Sequence, residues 1–274
     1  VGSEMCIRDR PRSGLQALVN PLVKSQGHRD RISGLLLMPG GVLLSSSTDG
    51  TIKQWDLATL ALQQTLTAAW SVTAIARDLT GSLLVSGGTT GQVELWDWQE
   101  QRVIYQGQPQ AERITGLAVA VDAPWVVSSS NTPMIQVWDG RDGTPVQALT
   151  GHLANITTLA TSATGAYLAS GDRDGLVKLW QLPNGERLQT LAKHQAAITA
   201  IAFSPTETWV ATGDEAGQVM MWELLTGERW DNLPHPWSIT AIVAPSPTVL
   251  LVASQAETLR CWELGQDSGT SAIC

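Results

Sequence analysis

The amino-acid sequence predicts an all-β fold of six repeats, each a four-stranded antiparallel sheet, and three observations carry that prediction. Strand-like segments ending in Trp and a polar residue recur as TIKQWD at Trp55, QVELWD at Trp96, MIQVWD at Trp138, LVKLWQ at Trp180, QVMMWE at Trp222 and TLRCWE at Trp262. Successive tryptophans of this set lie 41, 42, 42, 42 and 40 residues apart. A second mark, Gly27-His28 and Gly151-His152 with weakened forms at Lys193-His194 and Pro234-His235, precedes its Trp by 27, 28, 28 and 27 residues, so the two run in register. The third observation is composition: 43% hydrophobic residues, with 25 Gly and 13 Pro spread along 274 positions, suit one all-β domain.

The strands of a repeat can be placed from their alternation and turns. In the fourth, strand a is expected at 156–161, b at 167–170, c at 176–180 and d at 187–191, with SATG, GDRDG and LPNGE as turns. The turn GDRDG needs a decision, because Asp-x-Asp-Gly also opens a calcium loop. That loop requires a bidentate acid at its twelfth position, which counted from Asp172 is Pro183. Asp-Gly before the β-type run Leu176–Trp180 is instead a hairpin signal. Asp174 is therefore expected as a turn and network residue, Gly175 as the residue that permits the turn, and Asp172 as a solvated flank. Trp125, Tyr167 and Trp209 each lie 13 residues before their repeat's Trp and read as one core position at the start of strand b. Alternating side chains leave two apolar faces on every sheet, so neighbouring repeats must stack, at about 25 cal/mol per Å² of apolar surface covered.

A period of 40 to 45 residues with Gly-His early and Trp-Asp late marks a propeller blade. On those residues the chain resembles the WD-repeat (WD40) family from about residue 21 to 262. The resemblance implies a β-propeller of four-stranded blades, with repeats at about 27–66, 67–107, 108–150, 151–192, 193–233 and 234–264 inside a domain spanning 13–264. Residues 1–12, which open with VGSEMCIRDR, resemble translated adapter and are set aside as a non-native tail, and 265–274 are expected as a C-terminal tail. LGQDSGTSAIC offers no evident fourth strand to the sixth repeat. PLVKSQGH (Pro21–His28) aligns with PVQALTGH (Pro145–His152), apart from Ser25 against Leu149. Strand 21–25 is thus expected to close the last blade of a six-bladed ring, and a truncated seven-bladed ring stays open as the alternative.

Function is narrowed by what the residues can do. Formal charge is -8 without a Lys/Arg stripe, which argues against a nucleic-acid partner. No 18-residue apolar window suggests a membrane span. Three cysteines, Cys6, Cys261 and Cys274, supply neither a disulfide framework nor zinc spacing. His152, Ser170 and Asp174 have the chemistry of a hydrolytic triad, but His28, Ser45 and Asp49 recur at the same repeat offsets. The family resemblance implies one buried hydrogen-bond network per blade instead, giving the tetrads His28-Ser45-Asp49-Trp55 and His152-Ser170-Asp174-Trp180. All four histidines occupy the network position, so neither metal nor cofactor nor catalysis is expected to use them. Thr90, Thr132, Ala216 and Ala256 near the acid position, and Thr212 at the serine position, predict that the other blades rely more on packing. The resemblance implies a non-catalytic platform for other proteins or peptides, expected as a monomeric, cytoplasmic module suited to a larger signalling or assembly protein. An enzyme with a site at the central channel is the alternative. Turns such as WELLTGE and WQLPNGE resemble bacterial members.

The family's docking rim lies on the loops entering strand a and on the b–c turns. Two residues before the first apolar residue of each strand a stand Asp30, Trp70, Glu112, Ala154, Ala196 and Trp237. Trp70 and Trp237, in the near-identical contexts AAWSVTAI and PHPWSITAI, are the candidate partner-binding pair. In a six-bladed ring they would flank Asp30 and Arg31, with Glu112, Arg113, Arg173 and Glu215 as the charged rim. Folding of both indoles over the channel mouth as packing is the competing expectation.

Overall fold

In the first, second, fourth and fifth repeats the b–c turn places a glycine in the left-handed region. Gly50, Gly175 and Gly217 have φ of 80°, 81° and 85°, and a Cβ on Gly175 would stand 2.6 Å from the His194 carbonyl oxygen. Such turns join consecutive strands into antiparallel meanders. The computed structural model describes residues 27–78, 80–107, 112–120, 125–191, 194–255, 259–264 and the strand 270–272. Among these are six four-stranded sheets, each with its strands side by side in chain order.

Sheet 1 holds β1 (Ile32–Met38), β2 (Val42–Ser47), β3 (Thr51–Asp56) and β4 (Leu62–Thr67). Sheet 2 holds β5 (Val72–Arg77), β6 (Leu83–Gly88), β7 (Val93–Asp97) and β8 (Arg102–Gln106), and sheet 3 holds β9 (Ile114–Val119), β10 (Trp125–Ser130), β11 (Ile135–Asp139) and β12 (Pro145–Leu149). Sheet 4 is β13 (Ile156–Thr161), β14 (Tyr167–Asp172), β15 (Val177–Gln181) and β16 (Glu186–Thr190). Sheet 5 is β17 (Ile198–Phe203), β18 (Trp209–Asp214), β19 (Gln218–Glu223) and β20 (Arg229–Pro234). Sheet 6 is β21 (Ile239–Ser246), β22 (Val249–Ser254), β23 (Leu259–Leu264) and β24 (Thr270–Ala272). The expectation that LGQDSGTSAIC supplies no fourth strand is corrected here, since Thr270–Ala272 pairs with Trp262–Leu264 in antiparallel register. A three-residue strand rich in Ser and Thr carries little apolar alternation, so the pattern did not reveal it. The expected closing strand 21–25 lies outside the described residues.

One irregularity repeats with the sequence period. Between the third and fourth strands of sheets 1 to 5 the register shifts immediately at Trp55, Trp96, Trp138, Trp180 and Trp222. A bulge there bends the strand pair and increases its twist, next to the largest side chain of the repeat.

Two compact units divide the chain, one covering residues 14–156 with sheets 1 to 3, the other running from Thr157 with sheets 4 to 6. In the first unit, Leu44 and Ile52 of sheet 1 pack with Val72, Leu84 and Trp96 of sheet 2. Val85, Val93 and Leu95 of sheet 2 pack likewise with Ile114, Val126 and Trp138 of sheet 3. The second unit repeats the arrangement, with Val177 and Leu179 against Ile198 and Trp222, and Val219 and Met221 against Ile239 and Leu250. First-strand threonines tie successive sheets: Thr73 Oγ1 donates to the Ile114 carbonyl at 2.8 Å and Thr157 Oγ1 to the Ile198 carbonyl at 2.6 Å.

Equivalent apolar positions differ in exposure from sheet to sheet within each unit. Ile32 is 53% exposed, although Val72 and Ile114, which hold its register position in sheets 2 and 3, are 0% exposed. In the other unit, Leu259 of sheet 6 is 46% exposed where Val219 of sheet 5 is at 0%.

Candidate functional site

The network residues of sheet 1 are brought together by three adjacent segments: the loop before β1, the strand β2 and the β2–β3 turn. His28 Nδ1 lies 2.9 Å from Thr51 Oγ1 and 3.3 Å from Asp49 Oδ2, and its Nε2 lies 2.7 Å from Ser45 Oγ. A carboxylate can only accept, so Nδ1 carries the proton and Nε2 accepts from the Ser45 hydroxyl. Ser45 Oγ in turn accepts the Trp55 indole N–H at 2.8 Å. Asp49 also accepts the Arg29 and Thr51 amides at 2.8 and 2.9 Å. Partial burial pushes its carboxyl up, but the bonds from Thr51 and Arg29, with the nearby His28, outweigh that and hold it well below the usual carboxylate range.

Sheet 5 contains a second complete network, and its residues correct the expectation for that blade. His194 Nδ1 lies 3.0 Å from Asp214 Oδ2, His194 Nε2 lies 2.7 Å from Thr212 Oγ1, and Trp222 Nε1 donates to Thr212 Oγ1 at 2.8 Å. Thr212 and Asp214 are both 0% exposed. Thr212 supplies the same hydroxyl as a serine, and the acid is the last residue of β18 rather than a turn residue. Burial dominates His194 and lowers its pKa against the raising influence of Asp214.

The same geometry corrects the fourth repeat. Trp180 Nε1 donates to Ser170 Oγ at 2.8 Å, as expected. The buried acid is Asp172, at 1% exposure, whereas Asp174 is exposed. Strand β14 runs two residues past its expected end and so carries Asp172 inward. There its Oδ1 accepts the Asp174 and Leu176 amides at 3.0 and 2.9 Å. The identical pair in sheet 5 is Asp214 Oδ1 with the Ala216 and Gln218 amides, at 3.0 and 2.8 Å. Asp174 is thus a solvated turn residue and Asp172 the structural one, the reverse of the sequence assignment. His152 is buried and lies in the first unit. A signal was available, because SGD at 170–172 and TGD at 212–214 share one spacing.

The remaining sheets show what happens as network members drop out. Sheets 2 and 3 keep the indole bond, with Trp96 to Ser86 at 3.0 Å and Trp138 to Ser128 at 2.8 Å. In sheet 2 a buried Glu94, held by Gln106 Nε2 at 2.9 Å, approaches Ser86 at 3.5 Å, and burial raises its pKa. Sheet 6 has Val252 at the hydroxyl position, paired with Arg260 as Thr212 is with Met220. Both His235 Nε2 and Trp262 Nε1 are then buried without a partner among the described residues, although their rings stand 5.9 Å apart. Burial, with Arg260 adding to it, lowers the His235 pKa to about 4.

Chemically these networks serve burial. A serine at 3% exposure or a threonine at 0% whose oxygen already accepts an indole N–H has no approach for a substrate. Each bond offsets a desolvation cost of about 1–3 kcal/mol for the group it satisfies.

The rim residues are available in a way the network is not. Asp30, Arg31, Glu112, Arg113, Arg173 and Glu215 are all exposed. The two rim tryptophans differ. Trp70 is half-buried, with its indole lying over Gly88 and its Nε1 shielded and unpartnered among the described residues. Trp237, in the other unit, is 56% exposed. The two rim tryptophans expected as an exposed pair thus differ, Trp70 being half-buried over Gly88 and Trp237 exposed.

Known proteins fit this geometry. The family model described as WD domain, G-beta repeat matches residues 20–56, 61–97, 143–181 and 185–223, more than half of the chain. The sixth repeat and most of the third lie outside the matched segments. A crystal structure of the computationally designed Ika8 protein is similar at 30% identity and a TM-score of 0.77, over 88% of this chain and 73% of that one. The U3-55K structure matches at 20% identity and a TM-score of 0.79, over 91% of this chain and 82% of its own. RRP9 WD40 repeats match at 20% identity and 0.80, over 91% and 81%. Period, blade topology and the indole-to-hydroxyl bond together make this chain a member of the WD domain, G-beta repeat family, built of four-stranded β-propeller blades.

Proposed function

We propose that the chain is a non-catalytic docking module that engages another protein through the rim around Trp237. The observation carrying this reading is a large indole, 56% exposed, mounted on a backbone that is itself fixed. The Trp237 carbonyl packs on Gly217, and the Ser238 carbonyl accepts the Gln255 amide at 3.0 Å. Trp loses few rotamers on binding and is among the residues most enriched at interface hot spots. Glu215, exposed on the neighbouring turn of the same unit, adds a charge at its edge. The net charge of -8 supports a protein partner over a phosphate backbone.

The test is capture from the source cells with native and Trp237→Ala baits, with the melting of both baits measured in parallel. The proposal expects a protein recovered by the native bait and lost from the variant at unchanged melting temperature. Equal recovery by both baits refutes it.

A further inference from the structure

Register equivalence singles out one position as the reason the two rim tryptophans differ. At the first residue of strand a, Ile32 pairs with Ser47, Val72 with Gly88, Ile114 with Ser130, Ile198 with Asp214 and Ile239 with Ser254. The rim residue stands two places earlier and therefore faces the last residue of strand b. In sheet 5 a small rim residue, Ala196, accompanies the larger Asp214, and in sheet 2 the large Trp70 accompanies Gly88. The accommodation in sheet 2 is steric. A Cβ on Gly88 would overlap Cδ1 and Nε1 of the Trp70 ring, so the indole occupies the volume a side chain would take. Sheet 6 breaks the volume pattern by combining a rim tryptophan with Ser254, which is 6% exposed and so fills its own site.

We infer that Ser254 is a positioning residue that keeps Trp237 presented at the rim, by occupying the place that Gly88 leaves open beneath Trp70. The inference deepens the docking proposal by naming what holds its anchor outward, and indole exposure can be measured apart from partner capture. Close packing makes the device discrete, because an indole cannot share the site with a Cβ. The two tryptophans share the context W-S-[VI]-T-A-I. The facing residue, Gly88 or Ser254, distinguishes these two otherwise similar segments.

The experiment labels the protein with 5-fluorotryptophan, assigns Trp70 and Trp237 by Trp→Phe variants, and measures line broadening by a soluble paramagnetic agent. In the native protein Trp237 should broaden strongly and Trp70 weakly. In Ser254→Gly, Trp237 should lose its excess broadening and approach the behaviour of Trp70. Ser254→Ala, which keeps the Cβ, should leave Trp237 accessible. An unchanged Trp237 in Ser254→Gly overturns the inference, as does retreat of Trp237 in Ser254→Ala, since the hydroxyl and not the Cβ volume would then be responsible. If the indole retreats in Ser254→Gly and partner capture persists, the inference stands and the docking proposal fails.

Discussion

Replacing Asp214 by Ala separates a structural network from a decorative one. Asp214 is 0% exposed and accepts three donors: His194 Nδ1–H at 3.0 Å, the Ala216 amide at 3.0 Å and the Gln218 amide at 2.8 Å. Each donor stripped of its acceptor in a buried site costs about 1–3 kcal/mol. Water reaching the turn amides will recover part of that, so the expected loss is about 3–5 kcal/mol, the range for removing one member of a buried pair. Asp172→Ala removes the acceptor from two amides in the equivalent turn and should cost about 2–4 kcal/mol. Asp174→Ala, at an exposed turn position, should stay within about 0.5 kcal/mol. Urea unfolding followed by tryptophan fluorescence reads all three, with midpoints compared at constant slope. The reasoning is refuted if Asp214→Ala costs less than about 1 kcal/mol, below the lower bound for one unsatisfied donor. Equal losses for Asp172→Ala and Asp174→Ala would also refute it.

Two further predictions concern sheet 6. Val252→Thr supplies a hydroxyl between the unpartnered His235 Nε2 and Trp262 Nε1 and should raise stability by about 1 kcal/mol in the same assay; a loss of that size would show that the two groups are not aimed at that position. His235, neutral in the folded protein with its pKa near 4 against an ordinary 6.5, binds its proton more readily once unfolded. Stability should therefore fall as pH drops from about 6.5 through 4, by about 3 kcal/mol in all. His235→Leu should flatten that part of the pH profile relative to native, and an identical profile would contradict the assignment.

Fold and site were legible in the sequence to different depths, for physical reasons. The 40- to 42-residue period and the Trp and His marks specify blade number and strand order because each blade repeats one packing problem. The sheet 1 network was legible for the same reason. Asp172 and Asp174 were exchanged because hairpin chemistry favours an Asp-Gly turn, whereas the acid that matters is set by how far β14 extends before it turns. Thr212 was discounted by residue type although only its oxygen is used. The difference between Trp70 and Trp237 lies in a facing residue 17 or 18 positions away, Gly88 or Ser254, and local context hides it.

Buried networks hold the blades, and on the docking proposal the exposed indole of Trp237 makes the partner contact. Photo-crosslinking in the source cells, with p-benzoylphenylalanine placed at position 237 or at Trp230, tests this most directly. Trp230 is also exposed, at 45%, but lies on the fourth strand of sheet 5 away from the rim loops. A discrete adduct with another protein is expected from position 237 and none from position 230. Adducts from position 230 alone, or none from position 237, would contradict it.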